Sequence, residues 1–207
     1  GSGLDIASAY ANRGKDVAVV EPGPMGGTCL NRGCIPSKMF IHRADIVEEI
    51  ENSEKFGVHS EINDIEFGEI VSEVNEEVGS DSEGIENAIR DSDRHTLYKT
   101  EAKFLDEKVL EVDGQKITSD LIFVAAGSRP LIPHIDGLDE VDYLTSKDAL
   151  ELEDQPEEIV MIGGGYISAE LAHFYSSMGT DVTIIERGNK LVKREDREVS
   201  ESFTELA

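Results

Sequence analysis

Apolar and polar residues alternate in the same order in two stretches of the chain. Residues 1–21 read GSGLDIASAYANRGKDVAVVE, and residues 163–186 read GGGYISAELAHFYSSMGTDVTIIE. Each stretch opens on glycines, continues with a helix-periodic apolar run and ends with a short β-branched strand that is followed by Glu. The pattern predicts an internal repeat of a glycine turn, a helix and a strand.

The two copies differ in what surrounds them. The strand EEIVMI runs directly into the second glycine turn, whereas no strand precedes residue 1, and the chain stops soon after the strand VTIIE. A doubly wound sheet needs further strands. We therefore expect this sequence to be part of a longer protein, although the opening GSG has the alternative explanation of a cloning remnant.

The region between the copies predicts helices first and strands afterwards. Residues 38–56 and 66–99 have helical patterns, the second interrupted at GSDSEG (79–84). Short strands are predicted between 100 and 130, with a turn at Asp113–Gly114 and a buried strand at 121–127.

The predicted fold class is therefore α/β, with two Rossmann-like, doubly wound βαβ dinucleotide-binding domains, both incomplete. We predict that residues 1–152 form the first domain, with a helical insertion at about 38–99, and that residues 153–207 begin the second.

The second glycine turn has the spacing of a dinucleotide site. Gly163, Gly165 and Ser168 follow the G-x-G-x-x-small pattern between a strand and a helix, and Glu186 closes the next strand, where a ribose hydroxyl is held. Glycines there permit a tight turn and a close approach of pyrophosphate to the helix N-terminus. The alternative is a turn needed only for packing. Glu21 occupies the matching place in the first copy.

The residues around Glu186 leave the coenzyme open. An acid at this place favours the free 2′-hydroxyl of NAD, whereas nearby cations favour the 2′-phosphate of NADP. Arg187, Lys193 and Arg194 are such cations, unless they are ordinary surface charges.

Charge and hydropathy exclude several kinds of partner. The net charge of −25, from 44 acidic and 19 basic residues, argues against nucleic acid and anionic membranes. No apolar run approaches the ~20 residues of a membrane span, and no signal peptide is visible, so a cytoplasmic location is expected. The acidity indicates either a solvated helical face or adaptation to a salty cytosol.

Cys29 and Cys34 are the only cysteines, and they lie in the segment GGTCLNRGCIPSK (26–38). The five histidines are scattered, so no metal site is predicted. Pro36 suits the first turn of a helix, which places Cys34 at a helix N-terminus, a position that stabilises a thiolate. Residues five apart in an ideal helix are too distant for a disulfide, so the segment must distort, and Gly33 permits this. We predict a redox-active disulfide.

This cysteine segment closely resembles the signature of the class I flavoprotein disulfide reductases, the family of dihydrolipoamide dehydrogenase and of the glutathione, mycothione and mercuric reductases. VVE (19–21), AAGSRP (125–130) and GGGYISAELA (163–172) also occur in the family's order, so the resemblance covers essentially the whole chain. It implies FAD in the first unit, NAD or NADP in the second, and a small dithiol or disulfide substrate.

The resemblance also implies roles for individual residues. Cys34 would be the flavin-side sulfur and Cys29 the thiol that attacks the substrate disulfide, with Lys38 and Glu170 as an ion pair beside the flavin. Tyr166 would cover the nicotinamide pocket, its alternative being a packed aromatic residue. The implied cofactor-binding residues are Gly1, Gly3, Glu21, Gly26, Gly27, Thr28, Lys38, Ala102 and Gly127 for FAD, and Gly163, Gly165, Tyr166, Ser168, Glu186 and Arg187 for the nicotinamide coenzyme.

Several functions are compatible with these residues. The leading hypothesis is an oxidoreductase of dihydrolipoamide dehydrogenase type, whose parent protein would be a homodimer with an acid/base His–Glu pair in a domain outside this sequence. An NADPH-dependent reductase of a small-thiol disulfide, of mycothione or glutathione type, is the nearest alternative. A mercuric reductase is less favoured. Hypotheses of other classes are an inactive nucleotide-binding fragment and a flavoprotein oxidase with incidental cysteines.

Overall fold

The computed structural model describes residues 1–207, which pack as two compact units, each made of two chain segments. The first unit comprises residues 1–35 and 76–143, and the second comprises residues 36–75 and 144–207. The predicted domain boundary at 152/153 concerns nucleotide-binding domains rather than packing units, and it stays a prediction.

Seven helices and seven strands follow one another along the chain. In order they are α1 (Ser2–Ala11), β1 (Val17–Val20), α2 (Gly27–Arg32), α3 (Cys34–Glu51), α4 (Phe67–Arg90), β2 (His95–Tyr98), β3 (Ala102–Asp106), β4 (Val109–Val112), β5 (Gln115–Thr118), α5 (Ser146–Leu150), β6 (Glu158–Ile162), α6 (Tyr166–Ser177), β7 (Asp181–Ile185) and α7 (Arg197–Leu206). Single 3-10 turns occur at Ser53–Phe56 and Leu138–Glu140.

The first unit contains a parallel strand pair and an antiparallel meander. β1 pairs with β2 in parallel, with Val17 opposite His95 and Val20 opposite Tyr98. β3, β4 and β5 form the meander, and the β4–β5 turn is at Asp113–Gly114, as predicted. Both turn residues have positive φ, 51° and 72°, which is the requirement of a tight hairpin turn that Asp-Gly meets at little cost.

The second unit repeats the parallel arrangement. β6 pairs with β7 in register from Glu158–Asp181 to Ile162–Ile185, and α6 connects the two strands. Its core is aromatic and aliphatic: Phe40, Phe67, Phe174 and Tyr175 are each at most 4% exposed, and the Phe40 and Phe174 rings lie 4.5 Å apart. The core unites α3, the start of α4, α5 and α6.

The internal repeat predicted from the apolar pattern is present. The copies fold as α1–β1 and as α6–β7, each helix followed by a strand of a parallel pair. The α/β class is thereby confirmed.

Three local predictions are wrong. α4 continues through residues 79–84 without interruption: buried Ser82 donates a hydrogen bond from within this segment, and Gly79 and Gly84 face open space. Residues 95–98 are strand β2 rather than helix, because β1 pairs with them; the helical insertion therefore ends at Arg90. Residues 121–127 form no strand, since no neighbouring segment pairs with them, and Phe123 and Val124 are exposed.

Candidate functional site: a dithiol and two glycine turns

The two cysteines meet at a break between two helices. α2 ends at Arg32, Gly33 leaves the helical conformation, and α3 begins at Cys34, so Cys34 stands at a helix N-terminus, as predicted. A Cβ on Gly33 would lie 2.9 Å from the carbonyl oxygen of Thr28. Only glycine allows the chain to turn this tightly around the preceding helix.

The cysteines are an exposed dithiol in this structure. Hydrogen bonding with the side chain of Cys34 is the main reason that the pKa of Cys29 is raised, with burial a smaller cause; the backbone N–H of Cys34 acts in the opposite direction. The side chains of Cys29 and Cys34 are thus hydrogen-bond partners, and the break at Gly33 brings together residues that an unbroken helix would separate.

The loop before the dithiol is held by side chains that the sequence analysis missed. The Asn31 amide donates to the carbonyls of Met25, at 2.8 Å, and of Gly27, at 3.0 Å. The buried Ser82 hydroxyl donates to the same Met25 carbonyl, also at 2.8 Å. The position of Asn31 between the two cysteines could have indicated a role in this loop. Ser82 lies in an acidic stretch whose pattern does not indicate such a role.

Four glycines and the segment at residue 125 converge beside this loop. The nitrogen of Gly1 lies 2.8 Å from the carbonyl oxygen of Gly26, and a Cβ on Gly27 would lie 3.5 Å from the same nitrogen. A Cβ on Gly3 would lie 3.1 Å from Cβ of Ala125. Glycines at these positions therefore allow the start of α1 to pack closely against the loop and against Ala125.

A cleft opens at the carboxyl end of β2, beside the β4–β5 turn, and β1 ends next to β2 at Glu21. The backbone N–H of Glu21 donates to the Tyr98 carbonyl. Oε1 of the Glu21 side chain accepts a 2.9 Å hydrogen bond from the N–H of Gly23. The cleft of about 310 Å³ is lined by Leu97, Tyr98, Lys99, Thr100 and Asp113. Ligands bind open α/β sheets at this end of the strands.

Lys99 fixes one wall of that cleft. Its ammonium donates to the carbonyl of Gly23 and lies 3.1 Å from Glu86, whose pKa is lowered by Arg90 and then by Lys99. The sequence analysis did not single out Tyr98 or Lys99. Of the residues it named for FAD, Ala102 starts β3 beyond the cleft, Thr28 is exposed on α2, and Gly127 has a positive φ of 70°.

In the second glycine turn, residues 163–165, the most crowded position is Gly164, which the motif does not specify. Gly163 has φ of 107° and donates to the carbonyl of Ile185, and Gly165 precedes α6 with open space around it. The middle residue is the crowded one, because a Cβ on Gly164 would lie 2.5 Å from Leu191. The pattern treats that position as variable, and only the fold shows that a Cβ there would have to displace the Leu191 side chain.

Glu186 lies against this turn and makes three hydrogen bonds. Lys193 donates to Oε1 at 2.7 Å, and the backbone N–H groups of Gly164 and Gly188 donate at 2.9 Å each. These donors, Lys193 first, lower the pKa of Glu186 to about 2. The hydrogen bond from the N–H of Gly188 to Glu186 matches the one from the N–H of Gly23 to Glu21, because each donor lies two residues after the acid. The two copies of the repeat therefore share this hydrogen bond.

The remaining residues of the second turn lie on or near α6. Tyr166 begins the helix with 65% of its surface exposed, so it is not a packed aromatic residue in this chain. Ser168 is half-buried two residues further along, and Arg187 is exposed beside Glu186.

Lys38 and Glu170 form an ion pair although 132 residues separate them. Lys38 lies one helical turn beyond Cys34 on α3, and its ammonium is 2.5 Å from Oε1 of Glu170 on α6. The buried contact between Phe40 and Phe174, two and four residues further along, holds the two helices together beneath the pair. The predicted pair is thus brought together, with Lys38 60% exposed and Glu170 30% exposed.

Parallel βα units, glycine turns at helix starts and an exposed dithiol are features of nucleotide-binding proteins with dithiol–disulfide chemistry. The sequence profile described as "Pyridine nucleotide-disulphide oxidoreductase" matches residues 1–207, and the chain belongs to this family of flavoprotein disulfide oxidoreductases. Members of the family depend on FAD and use NAD(P)H.

Relatives of several named activities resemble the chain. It is 35% identical to the mercuric reductase of Staphylococcus aureus over 99% of this chain and 38% of the relative. It is 36% identical to the mycothione reductase of Mycobacterium tuberculosis over 100% and 46%, and 30% identical to the dihydrolipoyl dehydrogenase of Bacillus subtilis over 99% and 46%. The chain therefore spans less than half of the length of these relatives.

A solved structure has the same fold. The HOCl-induced flavoprotein disulfide reductase RclA from Escherichia coli superposes with a TM-score of 0.84 at 27% identity, over 99% of this chain and 44% of that chain. None of the seven helices combines the length and apolar character that crossing a bilayer requires.

Proposed function

We propose that this chain carries electrons between a pyridine nucleotide and a small disulfide or dithiol, through a redox-active Cys29–Cys34 pair and with FAD as the intermediate carrier. The contact between the two thiols at the Gly33 break carries this proposal. Both thiols are exposed, so a substrate disulfide has access to them.

The cysteines supply the covalent chemistry. The Cys29 thiolate attacks one sulfur of a substrate disulfide, forms a mixed disulfide and displaces one substrate thiolate, which takes up a proton. The Cys34 thiolate then attacks Sγ of Cys29, releases the second substrate thiolate and leaves the Cys29–Cys34 disulfide. The substrate gains two electrons and two protons, and the cysteine pair loses two electrons. In the dihydrolipoyl direction the same bonds form and break in reverse.

The first unit has groups that fit FAD. Gly1, Gly3, Gly26 and Gly27 lie together at the start of α1 and in the loop before the dithiol, where they would meet the pyrophosphate, and Glu21 at the end of β1 would receive a ribose hydroxyl. FAD, when bound, supplies the two-electron carrier between nicotinamide and disulfide. Lys38 would stabilise the negative charge of the reduced carrier, with Glu170 holding the ammonium in place.

The second unit has groups that fit NAD or NADP. The turn at 163–165 and the start of α6 offer backbone N–H groups to pyrophosphate, with Ser168 as the small third residue and Tyr166 exposed above them. Glu186 would receive a ribose hydroxyl, and Arg187 and Lys193 would receive a phosphate.

Two types of oxidoreductase remain candidates. The dihydrolipoamide dehydrogenase type is favoured by the IPSK ending of the cysteine segment, and it implies NAD as coenzyme. The 2.7 Å contact of Lys193 with Glu186 supports the second type, an NADPH-dependent reductase of a low-molecular-weight thiol disulfide, because a cation beside this acid would attract a 2′-phosphate. A cytoplasmic homodimer is the proposed form of the whole protein.

The test is an anaerobic titration of the chain loaded with FAD. We expect two-electron reduction by dithiothreitol to produce a long-wavelength absorbance band, the signature of a thiolate stacked on oxidised flavin. Cys29→Ser and Cys34→Ser are matched variants. The first should show the band without reductant, because Cys34 remains a thiol, and the second should never show it.

Other results would contradict the proposal. Flavin that bleaches without the band in both the parent chain and Cys29→Ser would exclude the assigned role of Cys34. Turnover that survives Cys34→Ser would favour an oxidase with incidental cysteines. Loss of all flavin and nucleotide binding would favour an inactive fragment. Comparing NADH with NADPH as electron donor would decide the coenzyme, and Lys193→Met should weaken NADPH selectively.

A further inference from the structure

A series of hydrogen bonds connects helix α7 with the second glycine turn. The Ser200 hydroxyl on α7 donates to the carbonyl of Leu191 at 2.6 Å. The N–H of Val192 donates in turn to the carbonyl of Gly164, also at 2.6 Å. These residues all belong to the second unit, and Ser200 and Val192 are buried, at 4% and 8% exposure. The buried hydroxyl is therefore linked to the glycine turn through the backbone of two neighbouring residues.

Two peptide planes lie along this connection. A trans peptide group is planar, so its C=O and N–H point in opposite directions. The Leu191 carbonyl and the Val192 N–H belong to one such plane, which is therefore hydrogen-bonded at both ends. The Gly164 carbonyl and the Gly165 N–H belong to the other plane. Because the Val192 N–H holds the Gly164 carbonyl, the direction of the Gly165 N–H at the start of α6 is fixed as well.

Val192 adopts an unusual backbone conformation in this connection. Its φ is 42°, in the left-handed region that β-branched residues rarely enter. Such a conformation persists only where the surrounding structure holds it, and it is found mainly at active sites, ligand clamps and switch regions. Part of the hold comes from the N–H of Leu191, which donates to Oγ1 of Thr204 on α7 at 2.9 Å. The conformation of Val192 therefore favours a role of this segment in ligand binding.

We propose that Ser200 is a positioning residue for the nicotinamide coenzyme. It would act without touching the coenzyme: through the Leu191–Val192 peptide it directs the Gly165 N–H towards the pyrophosphate, so this donor is oriented before the ligand arrives. Without the hydroxyl the two peptide planes gain freedom, and a bound pyrophosphate would have to restrict them again. The inference rests on the proposed function, because it concerns the turn that would bind NAD or NADP.

The test compares variants that remove single hydroxyl groups from the second unit. Ser200→Ala removes the donor of the connection, and Thr204→Val removes the acceptor of the Leu191 N–H while keeping the shape of the side chain. Thr204→Ser retains that hydroxyl and should behave like the parent chain. Thr180→Val is the matched control. Thr180 is also 4% exposed, and its hydroxyl donates to the Pro156 carbonyl at 2.9 Å, but it precedes β7 at the end of the strand away from the glycine turn.

Isothermal titration calorimetry of the whole chain compares ligands with and without the pyrophosphate. The first are ADP-ribose and its 2′-phosphate, and the second are adenosine and 2′-AMP. We expect Ser200→Ala to weaken binding of the better ADP-ribose ligand roughly fivefold, the equivalent of one hydrogen bond, and binding of adenosine or 2′-AMP less than about twofold. Thr204→Val should act in the same direction. Thr180→Val should lower the urea midpoint as Ser200→Ala does and leave every affinity within about twofold of the parent chain.

The possible failures are distinguishable. Equal weakening of ADP-ribose binding by Ser200→Ala and Thr180→Val would mean that both act through stability alone. Weakening of all ligands by one factor would exclude an action on the pyrophosphate turn, and an unchanged ADP-ribose affinity in Ser200→Ala would exclude the role of Ser200; both results would leave the proposed function intact. If the parent chain binds none of these ligands, the proposed function fails together with the inference. Should Ser200→Ala not fold, Thr204→Val and Thr204→Ser decide by the same criteria.

Discussion

Replacing Gly33 with alanine tests whether the break between α2 and α3 sets the redox properties of the cysteines. The new Cβ would lie 2.9 Å from the carbonyl oxygen of Thr28, whereas ordinary contact begins at 3.4 Å, so the two segments must separate by 3.4 − 2.9 = 0.5 Å. Overpacking of this size costs about 1–3 kcal/mol. The separation opposes the closure of Cys29 onto Cys34, so it should destabilise the disulfide more than the dithiol.

The magnitude follows from the two-electron couple. A differential cost of about 1–3 kcal/mol corresponds to roughly 20–60 mV, since 30 mV equals about 1.4 kcal/mol. We expect the reduction potential to rise by this amount, because a less stable disulfide is reduced more easily. The assay equilibrates the chain with mixtures of reduced and oxidised dithiothreitol, alkylates the thiols and counts the modified cysteines by mass spectrometry.

Gly79→Ala is the matched control for this substitution. Gly79 lies within α4 and has open space around it, so alanine should add about 0.5–1 kcal/mol of stability and leave the potential unchanged. An unchanged potential in Gly33→Ala, with stability no lower than that of Gly79→Ala, would refute the reasoning. A fall in the potential would refute the predicted direction.

Three further predictions concern the second unit. Glu186→Gln should lower the urea midpoint relative to the parent chain above pH 4.5, and the difference should fade as pH falls towards about 2, because a lowered carboxyl pKa contributes stability only while the carboxylate persists; a pH-independent difference would contradict this. Phe174→Ala should cost about 3–5 kcal/mol in urea denaturation, because the ring is 1% exposed, whereas Phe56→Ala, at 83% exposure, should cost less than about 0.5 kcal/mol. Tyr175 should titrate last among the tyrosines in an ultraviolet pH titration, because burial raises its pKa to about 12, and Tyr175→Phe should remove that late phase. The stability that the neutral Tyr175 side chain contributes is complete below pH 10 and is lost as pH rises towards 12.

The antiparallel hairpin shows why some elements were predictable. Asp113 and Gly114 both adopt positive φ, and few residue pairs other than Asp-Gly and Asn-Gly do so at low cost. The turn, and with it the register of β4 against β5, therefore depends on two adjacent residues. The same holds for the start of α3, where Gly33 and Pro36 mark the helix boundary within four residues of Cys34.

Strand β2 shows why other elements could not be predicted from the sequence. Residues 95–98 continue a helical pattern from the preceding acidic segment, yet they form a strand because β1 offers them a parallel partner 78 residues away (95 − 17 = 78). Residues 121–127 are richer in strand-forming residues and form none, because no segment pairs with them. Pairing depends on a distant neighbour, and propensity alone does not predict it.

The candidate site divides in the same way. The sequence by itself determined the dithiol segment, the glycine turns and the acids Glu21 and Glu186, because each depends on residue types at short spacing. Only the tertiary structure decided that Gly164 is the crowded glycine, that Ser82 holds the loop before the cysteines, and that Lys193 pairs with Glu186. Those contacts join segments that fold next to one another, and no local pattern encodes which distant side chain will arrive there.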